Sequence, residues 1–162
     1  MSPELSLFAP LLLVAPLLVA MALIDLRHLM ISNRLVLAML TIFALSAPVF
    51  LSLPEIGHRA LAGFVVFAFG VTGYAFRLWG GGDVKATAVL VLFVPSHLLS
   101  VYALGFSVSM ALGIALVLSA RALFGQPDSA WTALRPASGI PMGVAIALSG
   151  LGLPVTSLMI SI

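Results

Sequence analysis

Two aspartates, Asp25 and Asp83, are the residues of this chain best suited to acid–base chemistry. They are two of only five acidic residues, and Asp25 follows one long apolar segment whereas Asp83 precedes another. A carboxylate beside hydrocarbon is costly unless it is paired, so its presence indicates a function. Two facing carboxylates that share one proton can activate water with the ionised partner and polarise a carbonyl with the protonated one. Peptide hydrolysis by this route needs no metal and no cofactor.

A plainer interpretation makes both aspartates interfacial acids, neutralised by the cations two residues later, Arg27 and Lys85. The glycines at positions 80–82 favour catalysis, because glycine permits backbone angles closed to other residues and close approach of a substrate strand. We also expect these glycines to act as a hinge that moves Asp83 towards Asp25 when substrate docks. At the start of a helix, the dipole favours the ionised form of Asp83.

Membrane helices are the elements that must position these aspartates. The chain is 62% hydrophobic and only 7% charged, with a mean hydropathy of +1.27, and no soluble domain covers its surface at that composition. Six apolar segments occupy residues 5–24, 35–53, 60–76, 84–94, 98–120 and 140–160. We therefore predict an all-α polytopic membrane protein with six transmembrane helices in one domain, residues 1–162. The fourth segment is short for a crossing and requires tilt or a buried position.

The positive charges predict the orientation of these helices. Six of the seven Lys and Arg residues lie after the first, third and fifth segments, and Arg59 alone lies on the other side, together with Glu4 and Glu55. By the positive-inside bias, the three basic loops face the cytoplasm and both termini face away from it. This topology brings Asp25 and Asp83 to the same membrane face.

Other chemistries find little support in the composition. The absence of cysteine excludes thiol catalysis, cysteine-ligated zinc and disulfides, and the three histidines show no metal-ligand spacing. We expect neither a metal nor a cofactor, and no nucleic-acid partner at a net charge of only +2. The alternative function is a small ion- or proton-coupled transporter that uses the same two aspartates, although few polar residues lie at mid-depth in the spans.

Three stretches resemble the type IV prepilin peptidases, the G-x-G-D class of membrane aspartic proteases. "GGGDVK" at 80–85 resembles the family's G-x-G-D-x-K signature. "DLRHLMISNRL" at 25–35 is similar to its first aspartate motif, with Ser32 where proline is usual. "SGIPMGVAIALSG" at 138–150 resembles the opening of the last helix in short members, with Met142 in place of an aromatic residue.

The resemblance implies an endopeptidase that removes the short basic leader of prepilins and pseudopilins at the cytoplasmic face of the bacterial inner membrane. Its partners would be these substrates and membrane lipids. Asp25 and Asp83 carry over as the catalytic pair. Larger members carry a domain with paired Cys-x-x-Cys motifs and N-methylate the product. This cysteine-free chain resembles instead the compact enzymes of Flp-type pili, so methylation is not expected.

Several residues are expected to support the site: Gly80, Gly82, Lys85, Arg27 and Asn33. Arg27 and Lys85 either tune the aspartates and contact a substrate carbonyl or snorkel to the headgroups as topology markers. Asn33 either caps the second span or, by the resemblance, shapes the site. Close packing is the expected role of Gly139, Pro141 and Gly143. The loop at 121–136 is either a connector or a short amphipathic turn at the interface.

Overall fold

The computed structural model describes residues 3–160, with side chains for residues 6–157, and this part of the chain is all-helical. It contains α1 (Pro3–His28), α2 (Asn33–Phe50), α3 (Leu53–Ala75), α4 (Gly81–Val91), α5 (Leu99–Phe124) and α6 (Met142–Ile160). Two 3₁₀ turns, Ser96–Leu98 and Thr132–Leu134, precede α5 and α6. No strand occurs in the described residues, so the predicted all-α class is confirmed.

Four helices in the described residues are long and apolar enough to cross a membrane: Ser6–His28, Asn33–Phe50, Leu53–Ala75 and Ser96–Phe124. The molecule is thus a multi-pass membrane protein. With 11 residues, α4 is about 17 Å long against a hydrocarbon core of about 30 Å. The apolar part of α6, Met142–Ser157, is also shorter than a full span.

The count of six spans and the outer placement of both termini stay predictions. Residues 1–2 and 161–162, and the side chain of Glu4, lie outside the part of the chain that the structure describes.

The short helix α4 lies inside the bundle and packs mainly against α3, with further contacts to α2 and α6. Its Ala86 and Leu90 side chains are fully buried. Glycines on α3 allow this approach: a Cβ at Gly63 would lie 2.7 Å from Leu92 Cδ2, and one at Gly70 would lie 2.5 Å from Val84 Cγ1. Small residues let membrane helices pack closely, so α3 holds α4, and with it Asp83, in place.

Two helix starts differ from the sequence predictions. Ser32 is the N-cap of α2 and accepts a hydrogen bond from the Leu35 N–H at 3.3 Å. The prediction that Asn33 caps this helix is wrong, because the hydroxyl one residue earlier performs that role. The helix α3 begins at Leu53, well before the apolar segment that starts at residue 60, because Ser52 caps it and a proline occupies its first turn. Glu55 and Arg59 are therefore helical residues.

Arg59 is fully buried and ties three segments together near the start of α1. Its guanidinium donates to Glu55 Oε1 at 2.7 Å, to the Phe93 carbonyl at 3.1 Å and to the Leu7 carbonyl at 3.1 Å. Glu55 also accepts hydrogen bonds from the backbone and hydroxyl of Ser96. Every polar group of this cluster is satisfied, so Arg59 connects α1, α3 and the end of α4.

Removing this cation is expected to destabilise the whole bundle. Arg59→Ala leaves the Glu55 carboxylate without its cation and removes one donor from each of two carbonyls, so the free energy of unfolding in detergent micelles should fall by about 3 kcal/mol. Arg34→Ala, at an exposed position, should change it by less than about 0.5 kcal/mol. Equal stabilities of the two variants would contradict a structural role for Arg59.

Candidate active site

Asp25 lies in the last turn of α1 and is only 3% exposed. Its Oδ2 accepts a hydrogen bond of 2.6 Å from the backbone N–H of Gly143, the second residue of α6. Free N–H groups and the helix dipole make a helix N-terminus a favourable place for an anion. The first turn of α6 therefore holds the Asp25 carboxylate in one orientation.

The absence of a side chain at Gly143 makes this contact possible. A Cβ there would lie 2.9 Å from both Cβ and Oδ2 of Asp25. The structure thus shows the close packing expected at Gly143 and adds a hydrogen bond that sequence reasoning missed. Gly139 is in ordinary contact with Leu29, since a Cβ at Gly139 would lie 3.8 Å from Leu29 Cδ1.

Asp83 occupies the first turn of α4 and is partly buried. Its carboxylate folds back against Gly80, the N-cap residue, where a Cβ would lie 2.6 Å from Asp83 Oδ2. This is the direction in which an acidic side chain of a first turn reaches towards the start of its own helix. The carboxylate thus stays at the N-terminal end of α4.

The two aspartates belong to one site. Their charges lie close enough to interact electrostatically. The segment after Asp25 also touches the start of α4, because a Cβ at Gly82 would lie 3.1 Å from the Ile31 carbonyl oxygen. The structure therefore brings together the two acids that the sequence singled out.

Neither aspartate is neutralised by a cation among the described residues. The ion pair found there joins Arg59 to Glu55. Lys85 instead donates to Asn33 Oδ1 at 3.0 Å, which links α4 to the start of α2, and Arg27 is exposed. Two of the expected supporting residues thus contact each other rather than an aspartate. The interpretation of both acids as pairs with their neighbouring cations finds no support in these contacts.

The glycines at 80–82 serve close packing and not unusual backbone angles. No described glycine has a positive φ, and Gly80 adopts φ −73° and ψ 142°, which other residues also adopt. Gly80 and Gly82 approach Asp83 and Ile31, whereas Gly81 is in ordinary contact with the ring of Tyr74, 3.4 Å from a Cβ at Gly81. Close approach was expected for a substrate strand, but the structure shows it for the protein's own residues.

Alanine at two of these neighbouring glycines should have different effects. Gly82→Ala should lower the rate of the reaction at this site about tenfold, because its Cβ meets the Ile31 backbone and displaces the first turn of α4. Gly81→Ala should leave it within about twofold, since the Tyr74 contact is of ordinary length. Initial rates of that reaction measure both effects. Equal losses in the two variants would contradict the packing explanation and favour the hinge.

Arg121 organises the connection that leads to α6. Its guanidinium donates to the Ala133 carbonyl at 2.8 Å, to Ser138 Oγ at 2.9 Å and to the Gly139 carbonyl at 3.0 Å. The 3₁₀ turn in this connection packs on α1 and α5, with Ala133 fully buried. The loop is therefore a packed connector that delivers Gly143 to Asp25, while Trp131 is 40% exposed.

Asp83 also lines a cavity of about 780 Å³, together with Met142 and apolar residues of α3, α4 and α5. In the described part of the chain, no three His, Asp or Glu side chains gather as metal ligands would. The arrangement offers two neighbouring carboxyl groups, one of which lines an apolar cavity, and such a pair is suited to acid–base chemistry.

Comparison with known proteins agrees with this arrangement. The model of the type IV leader peptidase family matches residues 12–125, a range that contains Asp25 and Asp83 but not Gly143. No curated protein and no solved structure gives a significant match. The match covers well over half of the chain and confirms the resemblance to this family; the stretches at 25–35 and 80–85 lie inside the matched range, and the one at 138–150 lies outside it. The chain belongs to the type IV leader peptidase family.

Proposed function

We propose that this protein is an aspartic endopeptidase that removes the basic leader from type IV prepilins and pseudopilins at the cytoplasmic face of the bacterial inner membrane. One observation carries the proposal. The ends of α1 and α4 place Asp25 and Asp83 close enough for their charges to influence each other, with no cation paired to either among the described residues. The family match supports a peptidase of this class.

In this mechanism, a water molecule between the two carboxyl groups attacks the scissile carbonyl. Asp25, whose ionised form the Gly143 N–H stabilises, takes a proton from the water. Asp83 carries the shared proton despite its place at the start of α4, because two neighbouring carboxyl groups, one buried and one partly buried, do not both ionise readily. It donates this proton to the carbonyl oxygen, which gives a tetrahedral diol. Collapse of the diol breaks the C–N bond, returns a proton to Asp83 and passes the Asp25 proton to the leaving amine. Both aspartates end in their starting states.

We further propose that the product leaves without N-methylation. The chain has no cysteine, so it lacks the Cys-x-x-Cys pairs that accompany methylation in the larger enzymes that it resembles. The mature protein should therefore carry an unmodified amino terminus when no other enzyme acts on it.

Co-expression with a tagged prepilin tests this function. A bacterial host without a prepilin peptidase should accumulate the precursor, and wild-type protein should convert it to a product that lacks the leader. Mass spectrometry of the product should show an unmethylated N-terminus. A precursor that stays intact beside well-expressed, membrane-inserted wild-type protein would refute the proposed activity.

A further inference from the structure

The cavity beside Asp83 is an elongated groove with apolar walls, called the α3–α5 groove below. One wall is the face of α3 from His58 to Gly70, the other is the face of α5 from Leu99 to Met110, and α4 contributes the floor between them. Its polar lining residues include Asp83 at one end and His58 and Ser96 near the other. The groove thus leads from the candidate active site into the apolar part of the molecule.

The dimensions of the groove suit a helix. The α3 wall spans 12 residue steps and the α5 wall spans 11, which at 1.5 Å each is about 17 to 18 Å. A guest helix lying along the groove would place about 11 to 12 residues in it. Small residues, Ala62 on α3 and Ala103 on α5, leave room for close approach of such a helix.

The surroundings restrict what the groove can hold. Its α3 wall carries exposed apolar side chains, with Leu61 at 62% and Phe69 at 70% exposure, on a helix apolar and long enough to span the membrane. A polypeptide in that environment must satisfy its own backbone hydrogen bonds, which a helix does. A lipid chain would also suit the walls, but it brings no peptide bond to Asp83.

We propose that the α3–α5 groove binds the apolar helix that follows the scissile bond of the precursor, called the stem below, and that it contacts about 11 to 12 residues of that stem. This inference rests on the proposed function and adds a binding site to it. The groove ends at Asp83, so a helix seated in it presents the peptide bond at its N-terminal end to the two carboxyl groups. The length of the groove then determines how many residues of the stem it contacts.

A matched pair of tryptophan variants tests the groove. Ala103→Trp fills it, whereas Ala111→Trp adds the same bulk to an exposed position of α5 that does not line it. With purified protein in liposomes and a tagged prepilin as substrate, Ala103→Trp should raise KM about tenfold with little change in kcat. Ala111→Trp should leave both constants at their wild-type values. An unchanged KM in Ala103→Trp would overturn the proposal.

Photo-crosslinking separates this inference from the proposed activity. Benzoylphenylalanine at position 103 of an Asp25→Asn variant should crosslink to the prepilin stem, within about 12 residues of the leader junction, and the same probe at position 111 should not. Adducts with lipid alone at position 103, or equal adducts at both positions, would refute the groove as the stem site. Crosslinking needs no cleavage, so stem adducts from a protein that never cleaves would support the groove and refute the peptidase.

Discussion

Replacing either aspartate with asparagine is expected to lower the rate of leader cleavage by about 10³-fold. Asparagine keeps the size of the side chain but cannot take up a proton from water as Asp25 does or donate an acidic proton as Asp83 does. Because the two groups act as a unit, the double variant should be no slower than the slower single variant. The rates are measured as conversion of tagged precursor over time.

Asp128 provides the matched control for these variants. It lies exposed in the connection between α5 and α6, so Asp128→Asn should cleave at the wild-type rate. Near-normal cleavage by Asp25→Asn or by Asp83→Asn, at equal amounts of membrane-inserted protein, would contradict the pair mechanism.

Replacing Gly143 with alanine, which adds one methyl group, should lower kcat about 100-fold. In Gly143→Ala the new Cβ would lie 2.9 Å from Asp25 Oδ2, so the carboxylate or the start of α6 must move. A displacement of about 1 Å in a catalytic group is enough for a loss of that size. Single-turnover cleavage at saturating precursor measures the effect.

The same helix offers a control for this variant. No atom lies within 4 Å of a Cβ built at Gly152 of α6, so Gly152→Ala should cleave normally and fold at least as well. A Gly143→Ala protein that matches Gly152→Ala in rate would show that the Gly143 contact does not position Asp25.

The membrane class could be predicted, and the two aspartates could be singled out, because both steps depend on local information. Composition alone requires a membrane protein, and Asp83 follows its three glycines directly in the sequence. The pairing of Asp25 with Asp83 was predicted from the orientation of the helices, since the positive-inside bias brings both aspartates to one face. The distance over which the two charges interact depends on the fold and could not be predicted.

The contacts between distant segments could not be predicted from the sequence. Gly143 donates to Asp25 across 118 positions, and no periodicity or motif within either segment encodes that contact. Arg59 was expected only at the outer side of the membrane, because a lone cation beside an apolar segment indicates topology. Its burial depends on Glu55, one turn earlier, and on carbonyls of α1 and of the residues after α4.

The start of α2 shows the limit of sequence reasoning at single residues. Both Ser32 and Asn33 are good N-caps, and only the backbone conformation decides between them. With Ser32 at the cap, Asn33 is free to accept the Lys85 hydrogen bond. That bond gives the two residues a structural role in holding α4 to α2, which their positions in the sequence did not reveal.

Purified protein tests the central claim, that Asp25 and Asp83 of this chain cleave the leader, most directly. Wild-type protein and Asp83→Asn, each alone in liposomes with a purified prepilin and a metal chelator, are compared by the amount of leader released. We predict that wild-type protein releases the leader in the presence of the chelator and that Asp83→Asn releases about 10³-fold less per unit time. Release at equal rates by both proteins, or by neither, would contradict the claim.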